Sequence, residues 1–123
     1  MARIIVIDDQ ESIRRLVRRA LELDGHQVLD ASDGEMGMQL LEREPADVVI
    51  TDIFMPGQDG ILTLRQIRKR FPAVKVIVMS GGDSTGLLDM RQDAELLGAV
   101  KTLQKPFSPR EILDTVQAVL AMR

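Results

Sequence analysis

The chain has 123 residues, 45% of them hydrophobic and 28% charged, with a formal net charge of −3. That balance suits one soluble domain able to bury about two-thirds of the surface its unfolded chain exposes, and it argues against a nucleic-acid binder held by a basic surface. Cysteine is absent, which excludes disulfides, thiolate nucleophiles and thiolate metal sites and fits a reducing cytoplasm.

The first element is Ile4-Ile5-Val6-Ile7, a short run apolar on both faces that ends on Asp8-Asp9; such runs are the habit of strands in a parallel sheet covered by helices. It is too short for a signal peptide, and nothing approaches the roughly 18 apolar residues of a membrane span. The expected setting is the cytoplasm, with no membrane partner. Ile13, Leu16, Val17, Ala20 and Leu21 then mark the apolar stripe of a helix closed by Gly25, placed for a left-handed C-terminal position. His26 to Ala31 is a half-polar strand nearer an edge. Asp33-Gly34 is a turn, and Met36, Leu40 and Leu41 mark a short helix that stops before Pro45.

The third strand, Asp47 to Thr51, ends on Asp52. Met55-Pro56-Gly57-Gln58-Asp59-Gly60 is a loop of turn formers leading into a helix over Leu64, Ile67 and Phe71, closed by Pro72. A fourth strand begins near Val74 and ends on Ser80. Gly81 to Gly86 is the stretch richest in conformational freedom and the candidate moving element. A helix carrying Leu87, Met90, Ala94 and Leu97 follows and stops at Gly98. The fifth strand, Val100 to Gln104, ends on Lys105-Pro106. Ser108, Pro109 and Glu111 form a capping-box pattern with proline at the first helical position. The last helix, with stripe Ile112, Val116, Val119 and Leu120, is expected to run to Arg123.

Five strands alternating with five helices predict an α/β doubly wound sheet, since right-handed crossovers place helices on both faces. One domain over residues 1–123 is expected, with no output domain. In such sheets ligands bind at the C-terminal edge of the strands. Asp8, Asp9, Asp52, Ser80 and Lys105 would gather there. Three adjacent carboxylates repel one another unless a cation sits among them, and magnesium, or manganese, is the ion suited to oxygen ligands with a phosphate nearby. Zinc is disfavoured in a chain with no cysteine and one histidine. Asp52 is the candidate nucleophile, because aspartyl carboxylates accept phosphoryl groups. Lys105 would supply positive charge and Ser80 a hydroxyl donor to the phosphoryl oxygens. Taken singly, each has a plainer reading: Asp8-Asp9 as a helix N-cap, Ser80 as a turn residue, Lys105 as a surface lysine.

The joint pattern of Asp8-Asp9, Asp52 with Met55-Pro56-Gly57 and Asp59-Gly60, Ser80-Gly81 and Lys105-Pro106-Phe107 resembles the receiver domain of two-component response regulators, from about Arg3 to Met122. The resemblance implies a flavodoxin-like fold with strand order 2-1-3-4-5, of which a chemotaxis receiver is an example. It also implies phosphotransfer to Asp52 from a sensor histidine kinase or a histidine phosphotransfer protein. Asp9, Asp52 and the Phe54 carbonyl would be direct magnesium ligands, with Asp8 acting mostly through water. The Lys105-Pro106 bond would be cis and hold the lysine over the site. Single-domain relatives act by docking to a downstream protein or as relays, as a monomer or a phosphorylation-dependent dimer.

Three departures stand out. Thr102 occupies the position, three before the lysine, where receivers often carry an aromatic switch residue, so the usual coupling of hydroxyl and aromatic cannot operate in its standard form. Phe54 stands where many receivers have a polar side chain; it either packs on the adjacent helix or screens the acyl phosphate from water. The interval from Ser80 to Lys105 is a few residues long for the family. Arg14, Arg15, Arg18 and Arg19 read as a solvated face laced by Glu11–Arg15 and Arg18–Glu22 pairs, or as a docking surface for an acidic partner. His26 reads as a surface or strand-end residue. Two rivals remain: a haloacid-dehalogenase-type phosphatase, which needs a second acid where Phe54 stands, and a degenerate receiver that binds partners without phosphorylation.

Overall fold

A computed structural model describes residues 2–55, 58–81 and 98–122. In chain order these form β1 (Arg3–Ile7), α1 (Glu11–Leu23), β2 (Gln27–Ala31), α2 (Gly34–Arg43), β3 (Val48–Asp52), the two-residue pair β4 (Phe54–Met55) and β5 (Gln58–Asp59), α3 (Gly60–Arg70), β6 (Lys75–Ser80), β7 (Lys101–Gln104) and α4 (Pro109–Leu120). The expected helix carrying Leu87 to Leu97, the loop from Gly82 to Gly86 and Pro56-Gly57 lie outside the described residues.

The main sheet has the order β2-β1-β3-β6-β7, and every pairing within it is parallel. Setting aside the antiparallel β4–β5 pair, this is the order 2-1-3-4-5. Alternation along the strands sorts the core into two layers. Ile4, Val6, Val48, Ile50, Ile77, Met79 and Leu103 meet Val17 and Leu21 of α1 and Ile112, Val116 and Val119 of α4. Ile5, Ile7, Val49, Val76 and Val78 meet Met38 and Leu41 of α2 and Leu64 and Ile67 of α3. Helices therefore cover both faces of the sheet. Each fully buried Ile or Leu contributes about 1.5–3 kcal/mol relative to exposure.

The local signals are as the sequence suggests at most ends. Gly25 has φ 90° after α1, the left-handed region that costs a residue with a Cβ about 1–2 kcal/mol. Ser108 caps α4, its Oγ accepting from Glu111 N at 3.1 Å while the Glu111 carboxylate returns to Ser108 N at 3.3 Å.

Some boundaries and faces differ from expectation. Met36 is 45% exposed and Met38 takes the core position instead. The reason is phase: Asp33 accepts from Met36 N and starts α2 at Gly34, so Gly34, Gly37, Met38 and Leu41 face inward. Asp47 lies just outside β3, where its carboxylate accepts from Arg3 N at 2.9 Å. Leu120 is 37% exposed and is the last residue of α4, which ends before Arg123. The amine of Lys75 donates to the carbonyls of Val119 and Met122 there, a cation at the negative end of the helix dipole.

Candidate functional site

Asp8 follows β1, Asp52 ends β3 and Lys105 follows β7. Counting by twos, Asp8 continues the Ile4–Val6 alternation, Asp52 the Val48–Ile50 alternation, and Lys105 that of Leu103. All three belong to the alternation that faces α1 and α4. Parallel strands with a common register put these positions at one edge of the sheet.

The geometry there is close. Lys105 Nζ donates to Asp8 Oδ2 at 2.8 Å and to Asp52 Oδ2 at 2.9 Å. Carboxylate oxygens of Asp8, Asp9 and Asp52 lie within 4.8 Å of one another. Asp8 is fully buried and Asp52 is 4% exposed, whereas Asp9 is exposed. The surroundings thus offer three anionic oxygens, one of them open to solvent, and a cation shared by the two buried acids. Burial acts to lower the pKa of the Lys105 amine, but the hydrogen bonds and charges of Asp8 and Asp52 outweigh it and raise the pKa above the ordinary lysine range. Such an amine stays protonated at neutral pH.

Several backbone contacts fix these groups. Lys105 N donates to Ser80 O at 2.8 Å, tying the end of β7 to the end of β6, and Ile53 N donates to Met79 O at 3.0 Å just past Asp52. Asp8 Oδ1 accepts from Gln10 N at 2.8 Å, leaving Oδ2 for the lysine. The N-cap of α1 is Gln10, without a side-chain cap bond, so the acidic pair does not cap the helix. The Lys105-Pro106 peptide bond is cis. Lys105 is not the plain surface residue it resembles in isolation: its side chain is 15% exposed.

The other expected site residues fall as follows. Ser80 is buried at the end of β6, one residue beyond Met79, which is the register partner of Asp52. Gly81 is exposed, and a Cβ there would meet nothing within 4 Å, so sterics do not demand glycine in this conformation. Thr102 lies within β7 opposite Val78 and is half-buried. The backbone of Phe54 follows directly in β4; its side chain lies outside the described residues. His26 accepts from Ala2 N at 3.1 Å and faces Asp24 at 3.4 Å, just before β2 and so at the opposite edge of the sheet. It is a strand-end residue remote from the acids.

One contact at the site escaped the sequence. Arg14 does not belong to a solvated face: its side chain is 16% exposed, and its Nη1 donates to the Asp8 carbonyl at 2.7 Å. Its Nε and Arg18 Nη1 both donate to Asp30, at 2.9 and 2.7 Å. The expected Glu11–Arg15 and Arg18–Glu22 pairs are present beside it. The available signal was Asp30, an acid on a strand whose neighbours Leu29 and Ala31 pack inward.

A family model described as the response regulator receiver domain matches residues 4–117. Sporulation initiation phosphotransferase F of Bacillus subtilis is 33% identical over 121 residues, spanning 98% of this chain and 95% of the relative. The alkaline phosphatase synthesis transcriptional regulatory protein PhoP of the same organism is 36% identical over 118 residues, but this chain spans only 48% of it. Among solved structures, a response regulator receiver domain protein from Clostridium thermocellum superposes with a TM-score of 0.87 at 34% identity, covering 98% of this chain and 94% of that one. Chemotaxis protein CheY4 of Vibrio cholerae gives 0.87 at 28% identity, with 97% and 98% covered.

Proposed function

We propose that this chain, which belongs to the response regulator receiver family, accepts a phosphoryl group on Asp52 from a histidine kinase or a histidine phosphotransfer protein. The observation that carries this reading is the Lys105 amine shared between Asp8 and Asp52 at 2.8 and 2.9 Å. It joins the candidate acceptor to a fixed positive charge at a ligand-binding edge of the sheet.

The donor set fits magnesium or manganese. Asp8, Asp9 and Asp52 offer oxygens within 4.8 Å of one another, a hard, anionic set. The chain has no cysteine, and His26 is engaged at the far edge. Asp9, Asp52 and the Phe54 carbonyl would hold the ion directly, and Asp8 through water. Bound there, magnesium would neutralise charge on the carboxylates and on the incoming phosphoryl oxygens.

The chain's own groups then do the following. An Asp52 carboxylate oxygen attacks the phosphorus of phosphohistidine as the P–N bond breaks, and the imidazole leaves with its electron pair and takes up a proton. Product is an acyl phosphate on Asp52. Positioning and charge neutralisation dominate such transfers. Lys105 exchanges a carboxylate partner for a phosphoryl oxygen, and the Ser80 hydroxyl donates to another. Hydrolysis of the acyl phosphate resets the site.

Output is proposed to be docking or relay rather than chemistry on a small substrate. One relative that this chain matches over nearly its full length is by name a phosphotransferase, which supports the relay form. The transcriptional regulators it matches are longer, and it spans 48% and 45% of two of them. Phosphorylation-independent partner binding is the alternative, and the intact acidic set with its lysine weighs against it. Incubation with a phosphorylated histidine phosphotransfer domain and magnesium tests the proposal: label moves to the parent chain and not to Asp52→Asn. Label that stays on the donor refutes it.

A further inference from the structure

The last ladder pair between β1 and β2 is Ile7 with Ala31. Asp8 N still reaches the Ala31 carbonyl at 3.1 Å, but the Asp8 carbonyl lies beyond the end of β2 and, among the described residues, has no strand partner. Asp8 is fully buried, and a buried carbonyl without a partner is costly. The guanidinium of Arg14 fills that gap at 2.7 Å while Asp30 fixes its other edge at 2.9 Å. A planar fork holds two acceptors in a rigid geometry, whereas the donors of an ammonium rotate.

We infer that Arg14 is a positioning residue for the acidic site: by clamping the Asp8 main chain against Asp30, it sets the direction in which Asp8 and Asp9 leave β1, and so the affinity for a divalent cation. This rests on the reading of the three carboxylates as a magnesium site. Arg14 touches neither a carboxylate oxygen of the site nor, in that reading, the ion. Its sign distinguishes it from a plain electrostatic effect. A cation near the site repels a metal ion, so a charge-only role makes removal of Arg14 tighten magnesium binding. A positioning role makes removal weaken it, as loss of supporting contacts around metal ligands does.

Arg18 is the internal control, since it also donates to Asp30, at 2.7 Å, and makes no bond to Asp8. Magnesium affinity is measured by calorimetry on the full chain without any phosphodonor, together with the unfolding midpoint. Arg14→Met is expected to weaken magnesium binding about tenfold. Arg14→Lys keeps the charge but not the fork and is expected to weaken it about threefold. Arg18→Met, at a side chain 41% exposed, is expected to lower the midpoint less and leave the affinity within about twofold of the parent. Parent-like or tighter binding in folded Arg14→Met overturns the inference. If that variant fails to fold, parent-like binding in Arg14→Lys overturns it equally. A parent that binds no magnesium overturns the underlying reading of the site as well, so the two failures are told apart.

Discussion

Asp52 ends β3 and Lys105 follows β7, two strands that do not touch, since β6 lies between them in the sheet. Yet Lys105 Nζ reaches Asp52 Oδ2 at 2.9 Å, and its backbone N–H is anchored to Ser80 at the end of the intervening strand. One residue thereby ties together the ends of three strands, and through Asp8 a fourth. The receiver's acidic edge is held by this lysine when no other cation is present.

Removing the lysine should therefore expose the repulsion it compensates. Lys105→Met leaves Asp8 and Asp52 buried without their shared partner, which is expected to cost about 3 kcal/mol in magnesium-free buffer. Saturating magnesium should return much of that loss by replacing the missing positive charge. Denaturant unfolding with and without the ion measures both. Equal stability of variant and parent without magnesium would count against the compensation argument.

The same pair sets a pH dependence with a definite sign. The Lys105 pKa is raised in the folded chain. Its stabilisation is thus fully present below the ordinary lysine pKa of about 10.4 and fades only as pH rises through the folded value. The difference in unfolding free energy between parent and Lys105→Met should stay flat from about pH 7 to 9 and shrink above about pH 10.5. A difference that collapses between neutrality and pH 9 contradicts this assignment.

Asp9 offers a cleaner view of the proposed metal site. It is exposed, and among the described residues no hydrogen bond or ion pair ties its side chain down. Asp9→Asn should change magnesium-free stability by no more than about 0.5 kcal/mol. In the parent, magnesium at a hundred times its dissociation constant should add about 2.7 kcal/mol, and in the variant most of that increment should vanish. Thermal midpoints across a magnesium series give the answer; an undiminished shift in Asp9→Asn removes Asp9 from the ligand set.

The legible part of this molecule was the part governed by alternation and strand polarity. Asp8, Asp52, Ser80 and Lys105 each end or follow an apolar strand, so a parallel sheet gathers them without any knowledge of side-chain contacts. What stayed illegible depends on contacts between elements. Helix spacing pairs Arg14 only within α1, whereas its partner Asp30 is sixteen residues on, in another element. Met36 and Met38 are the same residue type in one helix, and only the cap at Asp33 fixes which of them faces the sheet. Lys75 meets the end of α4 across 44 residues, a pairing that no local pattern announces.

Two glycines make a graded steric prediction. A Cβ on Gly60 would stand 2.3 Å from the Ile53 carbonyl oxygen, whereas one on Gly37 would stand 2.2 Å from the Ile7 Cδ1 atom. Backbone cannot yield as a side-chain methyl can, so Gly60→Ala is expected to destabilise by about 3 kcal/mol and Gly37→Ala by about 1 kcal/mol. Because Gly60 packs on the residue after Asp52, its substitution should also weaken magnesium binding. Unfolding free energies in the reverse order would contradict the steric argument.

The central claim, that Asp52 is a magnesium-dependent phosphoryl acceptor, is tested most directly by intact mass after incubation with acetyl phosphate. The parent with magnesium should gain one phosphoryl group, about 80 Da, while Asp52→Asn and the parent without the ion should gain none. An adduct that persists in Asp52→Asn, or a parent that stays unmodified although it binds magnesium and meets a phosphorylated histidine donor, would contradict the account.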